Sequence, residues 1–326
     1  MSEPEGRLGT LRGRSGDAAG PAVVVRVPAT SANLGPGFDA VGLALTLHDV
    51  VEARLIPDGI SIEVSGTGEN GAGAGEDHLV IRAMRAAFAL LGAQPPGIGL
   101  RCANAIPQGY GLGSSAGAIV AGLLAARALG PDGESLTDAD LLRLATQIEG
   151  HPDNVSACMA GGLTIAWRSS SGVKTASLEP VRGLTPVVCV PQLPLSTSEA
   201  RQVLPPAVPH ADAAANSARA ALLVAALTSD PGLLMDGTED FLHQPYRTAV
   251  MPATADLVAR LRAAGIPAVV SGAGPAVLAL TVAGAHPGPE AVAPIANGSR
   301  TPWQVHVLDV DRDGATLKPD APGRGA

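Results

Sequence analysis

A glycine- and serine-rich loop is the strongest chemical signal in the sequence. It consists of Pro107, Gln108, Gly109, Tyr110, Gly111, Leu112, Gly113, Ser114, Ser115, Ala116 and Gly117. Glycine at every second position removes the Cβ atoms that would keep backbone N–H groups away from an anion. A buried helix is predicted to follow, and the unpaired amides at a helix N-terminus favour negative charge. The loop therefore predicts a phosphate site, to which two serines add hydroxyl groups.

Two common nucleotide-binding motifs do not match this loop. No Gly-Lys-Ser/Thr follows it, so it is not a Walker A loop, and its glycine spacing differs from that of the dinucleotide fingerprint. The alternative interpretation is a glycine-rich turn that only tightens the packing of the helix on the preceding strand.

A polar segment at the end of a predicted helix offers further reactive groups. Glu149, His151, Asp153 and Asn154 lie within six residues, between apolar flanks. A carboxylate near a phosphate loop is what Mg²⁺ needs, because this ion prefers hard oxygen ligands and usually bridges protein to phosphate. Asn154 could hold a substrate hydroxyl, and His151 could orient a substrate. The alternative is ordinary turn chemistry at a helix C-terminus, which the glycine and proline of the segment also fit.

Composition excludes several classes of protein. The 326 residues carry 22 basic and 30 acidic side chains, a net charge of −8. An acidic chain without a Lys/Arg run argues against a nucleic-acid partner. The three cysteines are odd in number and far apart, which predicts buried free thiols rather than disulfides or a zinc site. No apolar run approaches the length of a membrane span, and the N-terminus lacks an apolar signal core, so we expect a cytoplasmic protein without a membrane partner.

Hydrophobic periodicity predicts helices and strands that cluster rather than strictly alternate, which is typical of an α+β fold. The predicted strands span residues 22–28, 41–47, 50–56, 60–64, 99–104, 161–167, 186–191, 268–271, 276–281 and 303–310. The predicted helices span residues 78–91, 116–129, 137–148, 198–204, 211–228, 235–241 and 253–264, and residues 29–39 are predicted as a loop. The predicted division is a disordered leader at 1–21, an N-terminal lobe at 22–185, a C-terminal lobe at 186–312 and a frayed tail at 313–326.

Three widely separated segments resemble the three motifs of the GHMP kinases, a family that includes galactokinase, homoserine kinase and mevalonate kinase. They are residues 28–39 (Pro-Ala-Thr-Ser-Ala-Asn-Leu-Gly-Pro-Gly-Phe-Asp), the loop at 107–117 and residues 271–275 (Ser-Gly-Ala-Gly-Pro). Four segments resemble in particular the members of the family that phosphorylate homoserine, and they are residues 29–39, 149–155, 196–201 and 243–247. The resemblance covers residues 22–310. One departure is Ala276, which stands where the family often has threonine.

The resemblance implies a fold of two α+β lobes, the first like the second domain of ribosomal protein S5 and the second ferredoxin-like. It implies ATP bound under the loop at 107–117, and Mg²⁺ at Ser115 and Glu149. The implied reaction is phosphorylation of L-homoserine to O-phospho-L-homoserine on the route to threonine. A homodimer is common among such kinases, although the sequence itself does not give the oligomeric state.

The resemblance also implies a homoserine site. Its residues are Asn33, Asp39, His151, Asn154, Thr197, Arg201 and Arg247. The residue types agree with this role, because Asp39 can pair with the substrate ammonium and the two arginines can fork onto its carboxylate. Taken singly, the arginines would be helix-surface residues with solvated ends, and Asn33 and Asp39 would be turn residues.

The implied catalytic residues, Asn154, Glu149 and Ser115, include no general base. The amide of Asn154 cannot accept a proton, and phosphoryl transfer through a loose transition state depends mainly on positioning and charge neutralisation. We therefore expect the γ-phosphate or solvent to take the proton, with Asp153 as a fallback base. The alternatives are another GHMP kinase, acting on mevalonate or a sugar, and a non-catalytic nucleotide sensor that keeps the fold.

Overall fold

The backbone is organised around two β-sheets. The computed structural model describes residues 21–68 and 73–319. Its strands are β1 (Ala22–Ala32), β2 (Val41–Ile56), β3 (Gly59–Gly66), β4 (Gly97–Asn104), β5 (Leu163–Ser169), β6 (Gly172–Leu178), β7 (Leu184–Pro191), β8 (Ala268–Val270), β9 (Val277–Val282), β10 (Trp303–Val307) and β11 (Thr316–Pro319). Its α-helices are α1 (Leu79–Leu90), α2 (Ser114–Leu129), α3 (Asp138–Glu149), α4 (Asp153–Ala160), α5 (Thr197–Gln202), α6 (His210–Thr228), α7 (Leu234–Gly237), α8 (Gln244–Arg247), α9 (Pro252–Ala263) and α10 (Val292–Asn297). The predicted α+β class is confirmed.

The first sheet has the strand order β11-β1-β2-β4-β3, and β5 and β6 extend it from β2. Helices α1 and α2 pack on this sheet, where Val25, Val27, Phe88 and Ile119 are almost completely buried in one core. The apolar residues of α2 surround the whole helix, so it is enclosed by the sheet and by α1, α3 and α4. The N-terminus of this buried helix is thereby fixed in place, two residues earlier than predicted.

The second sheet is antiparallel, with the strand order β10-β7-β9-β8. Its strands follow one another with helices between β7 and β8 and between β9 and β10, which is the ferredoxin-like arrangement expected for this lobe. Side chains alternate along β7, because successive residues of a strand face opposite sides. Val187 and Cys189 pack with α9 and α10, whereas Val188 and Val190 pack toward the first lobe.

The two lobes share a hydrophobic core. Leu43 and Leu45 of β2 belong to the same buried cluster as Val188 of β7 and Leu278 of β9. The first six strands end at residue 178 and the second sheet begins at residue 184. The lobe boundary at 185/186 stays a prediction, since the shared core gives no sharp division.

The N-terminal strands are longer than predicted. Strand β1 continues through Ala32, so the loop prediction for residues 29–32 is wrong. The pairing register of β1 with β2 shifts at Pro28, which lacks a backbone N–H and interrupts the ladder. Strand β2 is one continuous strand because the two polar residues that interrupt its apolar pattern are stabilised by tertiary contacts. His48 bonds with Asp311, and Asp49 accepts hydrogen bonds from two backbone amides after β4.

Several short elements differ from the predictions. The tail predicted to be frayed from residue 313 contains β11, which pairs with β1 from residue 316 to 319. The helix predicted at 235–241 ends at residue 237, and α4, α8, α10 and β6 were not predicted. The leader at 1–20 and the tail at 320–326 lie outside the described residues. Within the described ranges, no helix is both long and apolar enough to cross a membrane. All three cysteines are buried free thiols, as predicted.

Candidate active site

The three motif segments meet in space, although up to 240 residues separate them. The Ser271 hydroxyl donates to the Gly111 carbonyl at 2.7 Å and shares a second hydrogen bond with the Ser31 Oγ at 2.8 Å, in which Ser31 is the donor. The backbone N–H of Gly272 donates to the carbonyl of Ala32 at 2.9 Å. Segment 271–275 therefore connects the end of β1 to the glycine loop and fixes the position of both.

A cavity of about 370 Å³ lies where these segments meet. The predicted site residues in its wall are Asn33, Glu149, His151, Asn154, Thr197 and Arg201, together with most of the loop at 107–117. Asp39 and Arg247 are not part of this wall but lie close behind it, since Arg201 bonds to Asp39 and Arg247 bonds to the carbonyl of Gly272 in the wall. The fold thus gathers residues from both lobes around one space.

The loop exposes its amides because its carbonyl groups are bonded to the surrounding protein. Each carbonyl oxygen from Gly109 to Leu112 accepts a hydrogen bond, and the donors are Leu195 N, Ala276 N, Ser271 Oγ and Thr30 N respectively. Among the described residues, no backbone N–H from Gly109 to Ser115 donates to a protein acceptor. Buried or half-buried amides require partners, so this row of N–H groups is suited to an anion with several oxygens.

Two glycines of the loop are required by both conformation and space. Gly111 has φ +75° and Gly113 has φ +69°, in the left-handed region that favours glycine. A Cβ atom on Gly111 would collide with the Ser271 carbonyl, and one on Gly113 would collide with the Thr30 hydroxyl. The alternative of a turn that only tightens packing does not account for the free amides that these conformations expose.

Ser115 and Glu149 are in direct contact beside the loop. Ser115 is the second residue of α2, Glu149 is the last residue of α3, and the serine hydroxyl donates to the Glu149 Oε1 at 2.7 Å. Burial raises the pKa of Glu149, although the hydrogen bond from Ser115 lowers it. In the described part of the chain no three acidic, histidine or cysteine side chains form a metal cluster. A cation here would therefore combine these two oxygens with ligands from a bound phosphate.

The polar segment after α3 is a turn that leads directly into α4. Gly150 ends α3 with φ +95°, so the expected turn chemistry is present. Asp153 is fully buried, and its Oδ1 accepts from His151 Nδ1 at 2.9 Å and from the Asn154 amide at 2.8 Å. Asn154 Oδ1 accepts from the Thr30 hydroxyl at 2.8 Å. The NH₂ group of Asn154 donates to the Asp153 Oδ1 at 3.4 Å, and its second hydrogen is left to be presented to a ligand.

Four of the predicted homoserine residues, Asn33, Asp39, Arg201 and Arg247, form a charged cluster in and behind the cavity wall. Asn33 accepts the backbone N–H of Asp39 through its side chain, at 2.8 Å, and Arg201 forks onto the Asp39 carboxylate. Arg247 is fully buried, so its alternative interpretation as a helix-surface residue is wrong. The guanidinium carbons of Arg201 and Arg247 lie 5.4 Å and 5.7 Å from the ring centre of Phe38.

Two donor atoms in this cluster have no acceptor among the described residues. They are Nε of Arg201 and Nη2 of Arg247, and both are buried. Burial lowers the pKa of Arg247 to about 10, and the nearby charge of Arg201 adds to this effect. An anion placed between the two guanidinium groups would satisfy both donors and offset the repulsion between them.

Comparison with known proteins gives this arrangement a family. A family model described as GHMP kinases N terminal domain matches residues 78–162, and one described as GHMP kinases C terminal matches residues 222–297. Curated relatives named homoserine kinase, from Streptomyces coelicolor and Streptomyces avermitilis, are 54% and 52% identical to the chain. The alignments cover 91% of this chain in both cases, and 95% and 96% of the relatives. The chain belongs to the GHMP kinases.

Solved structures agree with membership of the GHMP kinases. The crystal structure of homoserine kinase from Cytophaga hutchinsonii matches with a TM-score of 0.79 and 28% identity, covering 94% of this chain and 99% of that one. Mevalonate diphosphate decarboxylase from Staphylococcus aureus matches with a TM-score of 0.63 at 16% identity, covering 91% and 98%, and this likeness shows the fold alone. GHMP kinases use ATP as the phosphate donor, which agrees with the free amides of the glycine loop.

Three functional residues of this GHMP kinase were missed by sequence reasoning. The hydroxyl of Thr30 donates to Asn154, and the ring of Phe38 lies within 6 Å of both guanidinium groups. Both lie inside the motif at 28–39, which was available as a signal. His243 bonds to Arg247 from four residues earlier in the chain, and it begins the segment 243–247 that carries part of the resemblance, so a signal was available there too.

The pH dependence of stability should reveal the His151–Asp153 pair. Burial alone would lower the pKa of His151, but the hydrogen bond and charge of Asp153 outweigh it, so the pKa is raised above the ordinary value of about 6.5. The protonated pair therefore stabilises the fold at pH 6, and this contribution is lost as the pH rises through the folded-state pKa. His151→Gln should lower the free energy of unfolding by about 1–2 kcal/mol at pH 6 and by less at pH 9.

Urea denaturation at pH 6 and pH 9 measures this difference. His210→Gln, at an exposed position, is the control and should give the same difference from the unmodified protein at both values. A loss of stability for His151→Gln that is larger at pH 9 would contradict the raised pKa.

Proposed function

We propose that the protein transfers the γ-phosphoryl group of ATP to the side-chain hydroxyl of L-homoserine, giving O-phospho-L-homoserine and ADP. The observation that carries this proposal is the combination of a row of amides without protein acceptors in the cavity wall and two guanidinium groups, one in the wall and one behind it, that each have a donor without an acceptor among the described residues. The relatives named homoserine kinase, at 54% and 52% identity over nearly their whole length, support the same substrate. The function belongs to threonine biosynthesis.

ATP would lie with its phosphates against the amides from Gly109 to Ser115. The N-terminus of α2 adds the positive end of a helix dipole to these amides, which favours a polyphosphate. The part of the cavity beyond the loop is lined by apolar side chains, among them Val27, Val51 and Leu79. A nucleobase would bury its faces against such residues.

Mg²⁺ would be held by the Ser115 hydroxyl and the Glu149 carboxylate. The fit rests on their direct contact, on their hard oxygen atoms and on the closeness of the phosphate loop. When bound, the ion would neutralise part of the charge on the β- and γ-phosphates. Glu149 supplies a negative charge at this position, and Ser115 keeps the carboxylate oriented through its hydrogen bond.

Homoserine would bind through both of its charged groups. Nη2 of Arg247 and Nε of Arg201 would donate to the carboxylate, and Asp39 would accept from the ammonium. Since Arg201 already forks onto Asp39, the zwitterion would join an existing ion pair and extend it to four charges. Asn33, which accepts the Asp39 amide, would keep this carboxylate in place, and Thr197 in the cavity wall would provide a hydroxyl.

The reaction would proceed by in-line transfer without a dedicated general base. Asn154, with its oxygen engaged by Thr30, would donate its NH₂ group to the substrate hydroxyl oxygen and hold it in line. His151 would support this arrangement through Asp153. The proton would leave to the γ-phosphate or to solvent, because phosphoryl transfer has a loose transition state in which little proton transfer is needed. Asp153 stays a fallback base, and the homodimer stays a prediction.

A coupled ADP-release assay with homoserine, mevalonate, galactose and shikimate tests this function. We expect turnover with homoserine and none with the other three compounds. Arg201→Gln should raise the KM for homoserine about 10- to 100-fold, while the KM for ATP should stay within about twofold. Arg260→Gln is the control, because Arg260 lies on the surface of α9 and forms an ion pair with Asp256 of the same helix. Turnover that is greater with mevalonate or a sugar would overturn the proposal, and ATP binding without any turnover would favour a sensor.

A further inference from the structure

We propose that His243 is a positioning residue, which lies behind the homoserine site and holds Arg247 in the orientation that leaves one donor free for the substrate carboxylate. This inference rests on the proposed function and assigns a role to a residue that contacts neither the cavity wall nor the loop. It is carried by three observations, namely the complete burial of His243, the direction of its two hydrogen bonds and its packing between the lobes.

The two hydrogen bonds of His243 fix its tautomer. Its Nδ1 lies 3.1 Å from Nη1 of Arg247, and its Nε2 lies 2.8 Å from the carbonyl oxygen of Gly35. A guanidinium group only donates, so Nδ1 must be the acceptor and must carry no proton. A carbonyl only accepts, so Nε2 must carry the proton. The neutral Nε2–H form satisfies both bonds, and the side chain is 0% exposed.

The surroundings of His243 favour this neutral form. Burial lowers the pKa of His243, and the positive charge of Arg247 acts in the same direction against the charge of Asp240. The Asp240 carboxylate approaches Nε2 at 3.4 Å, but it already accepts backbone amides from Leu242, His243 and Gln244. A second proton, on Nδ1, would face the Arg247 guanidinium and remove its acceptor.

His243 connects the two lobes behind the site. Its ring stacks on Phe38, with centroids 5.1 Å apart and planes inclined by 25°. Gly35 and Phe38 both belong to the motif at 28–39 in the first lobe, whereas His243 and Arg247 belong to the second. The imidazole therefore contacts both Phe38 of the first lobe and Arg247 of the second.

The remaining contacts of Arg247 explain why one acceptor matters. Nε donates to the carbonyl of Ala200 at 3.2 Å, and Nη1 donates to the carbonyl of Gly272 at 3.1 Å as well as to His243. Only Nη2 has no acceptor among the described residues. Without His243, Nη1 would lose one of two acceptors in a buried site, and rotation of the guanidinium toward another acceptor would withdraw Nη2 from the substrate.

Two substitutions separate the two hydrogen bonds of His243. In His243→Asn, the side-chain oxygen takes the place of Nδ1 and can accept from Arg247, but the bond to Gly35 is lost. In His243→Gln, the side-chain NH₂ takes the place of Nε2 and can donate to Gly35, but the acceptor for Arg247 is lost. Both variants lose the stacked ring, so each serves as the matched control of the other for packing and stability.

We expect the two variants to differ in the KM for homoserine and not in the KM for ATP. His243→Asn should keep the KM for homoserine within about threefold of the unmodified protein, and His243→Gln should raise it by roughly 10-fold or more, with the KM for ATP unchanged in both. In an Arg247→Met background, this difference between the two His243 variants should disappear, because the bond they test no longer exists. Thermal melting of each variant establishes that it is folded.

The outcomes distinguish the role of His243 from the proposed function. Equal KM values for the two variants, or a difference that persists with Arg247→Met, would overturn the positioning role. If His243→Gln does not fold, a 10-fold rise in the homoserine KM of His243→Asn would overturn it, and an unchanged KM would support it. Absence of homoserine turnover by the unmodified protein would overturn the proposed function and this inference with it.

Discussion

Replacing Glu149 with glutamine should lower kcat by about 10²- to 10³-fold, as expected when a preorganised group that stabilises transition-state charge is lost. Glutamine has nearly the same shape and can still accept the hydrogen bond from Ser115, so the local geometry should survive. The variant loses the negative charge that would hold Mg²⁺ beside the phosphates. Measuring kcat with homoserine over a wide range of Mg²⁺ concentration tests this expectation.

Stability should change in the opposite direction to activity. Because burial raises the pKa of Glu149, the ionised carboxylate opposes folding at neutral pH, and glutamine removes that charge. We expect an unchanged or higher Tm for Glu149→Gln. Glu134→Gln, on the exposed turn before α3, should change neither quantity. A kcat within tenfold of the unmodified protein at saturating Mg²⁺ and ATP would contradict the proposed role of Glu149.

Replacing Gly113 with alanine should lower kcat/KM for ATP at least about 100-fold, because positioning of the phosphates by the loop amides is lost. The added Cβ atom would collide with the Thr30 hydroxyl, so the loop must move or Thr30 must release Asn154. Either response disturbs the amides at the start of α2 and the residue that would hold the substrate hydroxyl. Steady-state kinetics with varied ATP measures the effect.

A second glycine provides a closely matched control for Gly113. Gly92 follows α1 with the same φ of +69°, but a Cβ atom there would meet nothing within 4 Å. Alanine at either position costs about 1 kcal/mol of backbone strain, so any loss of stability from that source is shared. Only Gly113→Ala should impair the use of ATP. Equal losses of kcat/KM in the two variants would show that the contact with Thr30 is unimportant.

Long elements with a clear hydrophobic pattern were predictable from the sequence. Helix α2 is apolar around its whole circumference, and its burial followed from that pattern alone. The sequence predicted two strands where the structure has β2, because His48 and Asp49 interrupt the apolar pattern. The contacts that stabilise these two polar residues come from residues far along the chain. Strand β11 is four residues long and exists only because β1 offers a free edge, which no local pattern reveals.

At the candidate site, too, the sequence predicted local features but not the contacts between residues far apart in the chain. The free amides of the loop follow from its glycines, but the reason they are free is that Thr30, Leu195, Ser271 and Ala276 hold the opposite carbonyls. Spacing in the sequence could not supply these partners. The role of His243 depends on Gly35, which lies 208 residues away, so it became visible only in the folded chain.

The return of β11 to β1 makes the second lobe an insertion within the first. The chain leaves the first sheet at residues 179–183 and comes back at residues 308–315, and an ion pair between Glu179 and Arg312 ties the two crossings together. The second crossing is held against β2, because Thr46 N donates to Asp309 O and Asp311 N donates to Ala44 O. Both described ends of the chain, at residues 21 and 319, therefore lie at the first sheet and not at the second.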